Sequence, residues 1–360
     1  MSRFLSLLAV FASALLAQER AKNVVLFLGD AAGIAVINIA SIHAGKPQQL
    51  YIQKMPHIGL MDTSSASNWV TDSAAGMTAI VTGQKTHNGV ISQSDAAVRG
   101  KKDGEPLKTI LEYAEERGLS TGVISNDAVT GATPASCYAH ANDRRKQGEI
   151  MAQVLKPPFG DGVDVLIGAG RVDVLAAASK LGLDIVPGLR SRGYRVCDSL
   201  DQIPANAMRV VALLDSSEFD LGLAVRRATE ILSRNPKGFF LMVESDLHTD
   251  KLKRGLDRTV AFDAIIAETA ERMKNDTLVI FTADHSFDTR LKGGRKGQPL
   301  LMEPVSGDGG SAAPKLDVSV DGGHTGEQVV VAATGPGAER VRGFFPNTQL
   351  FRIMMAAYGW

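Results

Sequence analysis

The chain has 360 residues, 44% of them hydrophobic and 22% charged, so it can bury a substantial core and fits one large domain or two small ones. Its 39 basic and 39 acidic residues balance. That balance leaves no basic footprint for nucleic acid, and two cysteines exclude a disulfide scaffold.

Arg3, the apolar run Phe4 to Leu16 and then Ala17-Gln18-Glu19-Arg20 read as a secretory signal peptide cut after Ala17. Loss of Arg3 with this leader would leave a net charge of about −1. The run is short for a membrane span and no later stretch reaches the required length, so the mature chain, residues 18–360, is expected to be one soluble domain in the periplasm or outside the cell. In such an oxidising compartment Cys137 and Cys197 have about even chances of pairing.

Asn23 to Leu28 is a continuous apolar run ending in Gly29-Asp30, the pattern of a strand buried on both faces. The same pattern recurs at Phe239 to Val243 before Glu244, and at Leu278 to Ala283 before Asp284-His285. Further strands are expected at 122–125, 163–167, 210–214 and 328–333, with helices at 106–117 and 256–273. Alternating strands and helices predict an α/β three-layer sandwich whose central, mainly parallel sheet carries helices on both faces. The glycine-rich stretch Ser306 to Ser311 is expected to be a mobile surface loop.

Ligands bind beyond the carboxyl ends of strands in such sheets, so Asp30, Glu244 and Asp284 would converge there. Any one of them is equally readable as a helix N-cap. Three together repel and call for a cation. Between the first two strands lies Val70-Thr71-Asp72-Ser73-Ala74-Ala75-Gly76, which would open a helix running to about Val81. A helix N-terminus favours a negatively charged group such as a phosphoryl in transfer, and a serine there can become a nucleophile if something removes its proton. His285 beside Asp284, and His324 within Gly322-Gly323-His324-Thr325-Gly326-Glu327, are the histidines whose context suits metal ligation; Arg144 carries a planar fork able to clamp two phosphoryl oxygens.

Together these stretches resemble the alkaline phosphatase family. The motifs that carry the resemblance are Leu28-Gly29-Asp30, Asp72-Ser73-Ala74, Gly83-Gln84-Lys85-Thr86, Ala132-Thr133-Pro134-Ala135, Leu241-Met242-Val243-Glu244, Thr282-Ala283-Asp284-His285 and His324-Thr325-Gly326-Glu327, in family order from Asn23 to Gly359. The resemblance implies hydrolysis of small-molecule phosphate monoesters to inorganic phosphate through a phosphoserine, with two zinc ions and one magnesium. It makes Ser73 the nucleophile and Arg144 the clamp. Asp72, Asp284 and His285 would hold one zinc, and Asp30 would bridge it to a magnesium completed by Thr133 and Glu244. The second zinc would use His324.

At that second zinc the chain departs from its relatives, which carry Asp five residues and His nine residues after the glutamate. Here those positions are Thr249 and Lys253, and His248 and Asp250 are expected to take over. Gly131 also stands where relatives have Asp or His near magnesium. The competing readings are a hydrolase of phosphodiesters or other anionic esters, and a catalytically weak metal- or phosphate-binding homologue. Serine speaks against the diesterases and sulfatases, which use threonine and a modified cysteine. Relatives are commonly homodimers.

Overall fold

The computed structural model describes residues 20–301 and 317–360. The expected leader, 1–17, and the expected mobile loop, 306–311, lie outside the described residues. In chain order the strands are β1 (Asn23–Asp30), β2 (His57–Asp62), β3 (Ser120–Ala128), β4 (Val165–Ala169), β5 (Arg195–Cys197), β6 (Val210–Leu213), β7 (Phe239–Asp246), β8 (Thr277–Thr282), β9 (Ser286–Leu291), β10 (Val318–Thr325), β11 (Val329–Thr334) and β12 (Gly343–Pro346). Ten of them form one sheet in the order β12-β2-β11-β8-β1-β7-β3-β4-β6-β5; β9 and β10 form a separate antiparallel ribbon. Within the large sheet only β11 runs against its neighbours β8 and β2.

β1, β7 and β8 are buried over nearly their whole length, as their unbroken apolar sequences require of strands covered on both faces. The helices Ile34–His43 and Leu252–Arg272 pack together, and Leu252–Arg272 also packs on β7 and β8. The helices Ser73–Thr82, Ile110–Glu116, Ala132–Tyr138 and Thr348–Tyr358 form a second packed set, and Ala132–Tyr138 also packs on β3 and β7. The α/β sandwich is therefore as expected. No described helix is long and apolar enough to cross a membrane.

One local expectation is corrected, and the open question of the cysteines is answered. The helix expected at 106–117 begins only at Ile110, because Thr109 and Glu112 form a capping box: Glu112 N donates to Thr109 Oγ1 at 3.2 Å and Thr109 N to Glu112 Oε2 at 2.9 Å. The preceding residues stay extended, with Pro106 bridged to Gln93. Cys137 and Cys197 are free and buried. Cys137 sits on the helix packed against β3 and β7, whereas Cys197 ends β5 at the sheet's far edge, so the topology separates them.

Away from the strand ends, the Glu115 carboxylate is buried, accepting from Gly162 N at 2.9 Å and Thr121 Oγ1 at 3.2 Å. Burial, reinforced by the charges of Asp161 and Glu112, pushes its pKa up to about 8. The folded chain thus holds a proton that the unfolded chain releases near 4.5, and this contribution to stability is lost as pH rises toward 8. Glu115→Gln should flatten the fall in unfolding free energy between pH 5 and 8, measured by denaturant titration. Parallel curves for the two proteins would mean that Glu115 ionises at its ordinary value.

Candidate active site

Parallel pairing decides where the acidic residues meet. Leu28 lies opposite both Glu244 and Thr282, Asp30 lies opposite Asp246, and Ser125 lies opposite Glu244. β1, β7, β8 and β3 therefore end side by side, and Asp284-His285 follows directly on β8. His324 arrives by another route. The β9–β10 ribbon pairs it with Phe287, across a register shift between Val320 and His324 that Gly322 and Gly323 absorb with φ of 71° and 150°. The result is that the His285 and His324 rings stack 3.7 Å apart.

The helix Ser73–Thr82 brings the serine to this corner. Gly76 permits the approach, since a Cβ there would stand 2.7 Å from the Asp284 carbonyl oxygen. Ser73 Oγ lies 3.2 Å from His285 Nε2 and 3.5 Å from Asp30 Oδ2.

Three histidines point the same way. His285 Nδ1 donates to the Ser286 carbonyl at 3.0 Å, His324 Nδ1 to the Thr71 carbonyl at 3.0 Å, and His248 Nδ1 to Asp246 Oδ1 at 2.8 Å. With each Nδ1 so engaged, Nε2 is the nitrogen that each ring turns toward the site. His248, His285 and His324 form one group whose ligand atoms lie within 4.8 Å of one another; Asp30, Asp284 and His285 form a second. Asp30 Oδ1 and Asp284 Oδ2 are buried without a well-formed hydrogen bond, their near neighbour being His285 Nε2 at 3.2 and 3.5 Å, which leaves them able to take a cation. The donor set thus fits metal ions.

The electrostatics agree. Burial raises Asp284 to about 6, helped by the Asp30 charge, and burial with the Asp30 and Asp127 charges holds Glu244 well above the carboxylate range. For Asp30, burial is outweighed by the His285 hydrogen bond and the charges of His285, His248 and His324, so its pKa falls well below that range. His285 is raised to about 9, burial being overcome by Asp284 and Asp30. Glu244 also accepts from Ser125 Oγ and Thr133, on the side of β7 facing β3.

Not every expected residue joins these groups. Asp72 does what an N-cap does, accepting from Ala75 N at 3.1 Å and Gly89 N at 3.0 Å through Oδ1; its Oδ2 takes Arg144 Nη1 at 3.0 Å. It stands apart from both candidate metal groups and ties Arg144 beside Ser73 instead. Asp250 is exposed in a turn, because Thr249 is anchored inward against Thr289 on β9 and the chain then swings out toward the helix Leu252–Arg272. His248 does reach the cluster. The acidic group beside it is Asp246, which together with Ser125 was missed in the sequence; Asp246 extends the strand two residues past Glu244, and that spacing was its only signal.

The sequence profile described as alkaline phosphatase matches residues 21–198 and 214–304. Streptomycin-6-phosphate phosphatase of Streptomyces griseus is 30% identical over 413 residues, covering 94% of this chain and 91% of that protein. Rat tissue-nonspecific alkaline phosphatase is 28% identical, covering 74% of this chain and 63% of its own length. Among solved structures, a mutant TAB5 alkaline phosphatase with magnesium bound superposes with a TM-score of 0.78 at 26% identity, over 95% of this chain and 99% of that one. The chain, with this sheet and this cluster of ligands at its strand ends, belongs to the alkaline phosphatase family.

Proposed function

We propose that the chain hydrolyses small-molecule phosphate monoesters, releasing inorganic phosphate, through a phosphoserine on Ser73. The observation that carries this reading is the convergence of three histidine Nε2 atoms and the Asp30 and Asp284 carboxylates at the corner where Ser73 Oγ lies. His248 and His324 would hold one zinc and Asp284 and Asp30 the other, with His285 within reach of both; the oxygen-rich set Asp30, Thr133 and Glu244 suits magnesium. Such ions, when bound, supply Lewis acidity, lower the serine pKa and balance the carboxylates.

The chain's own residues do the rest. Ser73 Oγ attacks phosphorus and the bond to the ester oxygen breaks, the alcohol leaving with a proton. Water then attacks the phosphoserine, releasing phosphate and restoring the hydroxyl. The N-terminus of the helix Ser73–Thr82 favours the negative charge of the group in transfer, and Arg144 holds its non-bridging oxygens while Asp72 holds Arg144. The leader expected at 1–17 would send the enzyme to the periplasm or the medium, where free phosphate esters are met.

Ser73→Ala should abolish turnover of a chromogenic monoester and leave no acid-stable radiolabel from phosphate on the protein, with the circular dichroism spectrum unchanged. Turnover retained in that variant would reject the nucleophile. The diester counterpart should be turned over far more slowly by the native enzyme. Chelator should remove activity, and zinc with magnesium should restore it.

Asp72→Asn keeps the cap but loosens the charged bond to Arg144. It should weaken inhibition by phosphate roughly tenfold, equivalent to about 1.4 kcal/mol, near the lower limit for a hydrogen bond to a charged group. Combined with Arg144→Ala it should add little, because both act through one clamp. Additive losses in the inhibition constant would separate the two residues.

A further inference from the structure

Asp246 faces two ways. Its Oδ1 accepts from His248 Nδ1 at 2.8 Å and from His248 N at 3.2 Å; its Oδ2 accepts from Arg258 Nη1 at 2.9 Å and lies 3.9 Å from Arg254 Nη1. Arg258 also donates to the Asp246 carbonyl at 3.2 Å and pairs with Glu218 at 2.7 Å, and its side chain is only 11% exposed. The backbone of Asp246 is fixed as well, by Asn126 Oδ1 at 2.8 Å. His248 in turn stands edge-on to Phe287 with ring centres 5.1 Å apart, and its Nε2 lies 3.7 Å from Asp30 Oδ1. Asp246 itself belongs to neither candidate metal group.

We propose that Asp246 is a positioning residue for the His248 metal site: clamped by Arg258, it fixes the tautomer and ring plane of His248 so that Nε2 meets the ion. The inference rests on the metal reading of the cluster. Its physical basis is that a carboxylate accepting from the far nitrogen of a ligating imidazole orients the ring and strengthens it as a donor. On the turn that follows His248, Thr249 points inward to Thr289 and Lys253 outward to Asp257, so neither side chain of that turn is turned to the ion.

The test is zinc binding to the metal-stripped full chain, by competition with a chromophoric chelator, together with the visible spectrum of the cobalt-substituted protein. Native protein should bind zinc at the histidine group, and His248→Ala should lose that site. Asp246→Asn should keep the stoichiometry and the cobalt band positions but lower the affinity of one site by roughly 10–100-fold. Asp246→Glu should recover part of the loss. Arg258→Gln, which leaves the carboxylate in place but unclamped, should lower the same affinity by a smaller factor, and it decides the matter should Asp246→Asn fail to fold. Unchanged affinity in these variants overturns the positioning role alone. Loss of one zinc at saturation with altered cobalt bands makes Asp246 a direct ligand and overturns it too. A native chain that binds no zinc would instead sink the metal reading on which it stands.

Discussion

Asp30, Glu244 and Asp284 are forced into one buried corner because β1, β7 and β8 are adjacent, parallel and in register. Among the described residues no lysine or arginine forms an ion pair with any of the three, which leaves histidines as their neighbours of opposite charge. Burial and the Asp30 charge push Glu244 and Asp284 upward, while His285, whose Nε2 rests 3.2 Å from Asp30, and the other two histidines hold Asp30 low. A cation at this corner would let all three ionise together. The ribbon that delivers His324 and the close approach that Gly76 allows bring further groups to the same corner.

The half of the site around Ser73 and Arg144 is built on a different principle. Asp72 uses one oxygen to cap the helix that begins at Ser73 and the other to hold Arg144, so the geometry of the serine and of its guanidinium neighbour is set by a single carboxylate. An N-cap and a catalytic neighbour are usually competing explanations for such a residue. Here the two oxygens let both be true at once. The same economy governs Asp246, whose two oxygens join His248 to Arg258.

How far the chain could be read without its structure differs by residue. The apolar runs ending in Asp30, Glu244 and Asp284 announce buried strands, since only a strand covered on both faces tolerates such continuity, and the expected order of strands and helices matches the sandwich found. The start of the helix at Ile110 was misplaced because its apolar spacing extends upstream of a cap, and the cap, not the spacing, stops the helix. The cysteines gave no usable signal, because sequence separation says nothing about which strands neighbour one another.

The amino-acid order alone determined the family's motifs, the strand ends that carry acid, and the serine at a helix start, because these depend on local pattern and on residue chemistry. Tertiary structure decided which oxygen or nitrogen of each side chain faces the site. It paired Asp72 with Arg144, left Asp250 in solvent, and set Asp246 behind His248. Several of those choices depend on hydrogen-bond partners distant in the chain, such as Gly89, 17 residues from Asp72, and Thr71, 253 residues from His324. No spacing rule within a motif reaches that far, since side-chain direction is fixed only when sheet register and helix packing place both partners.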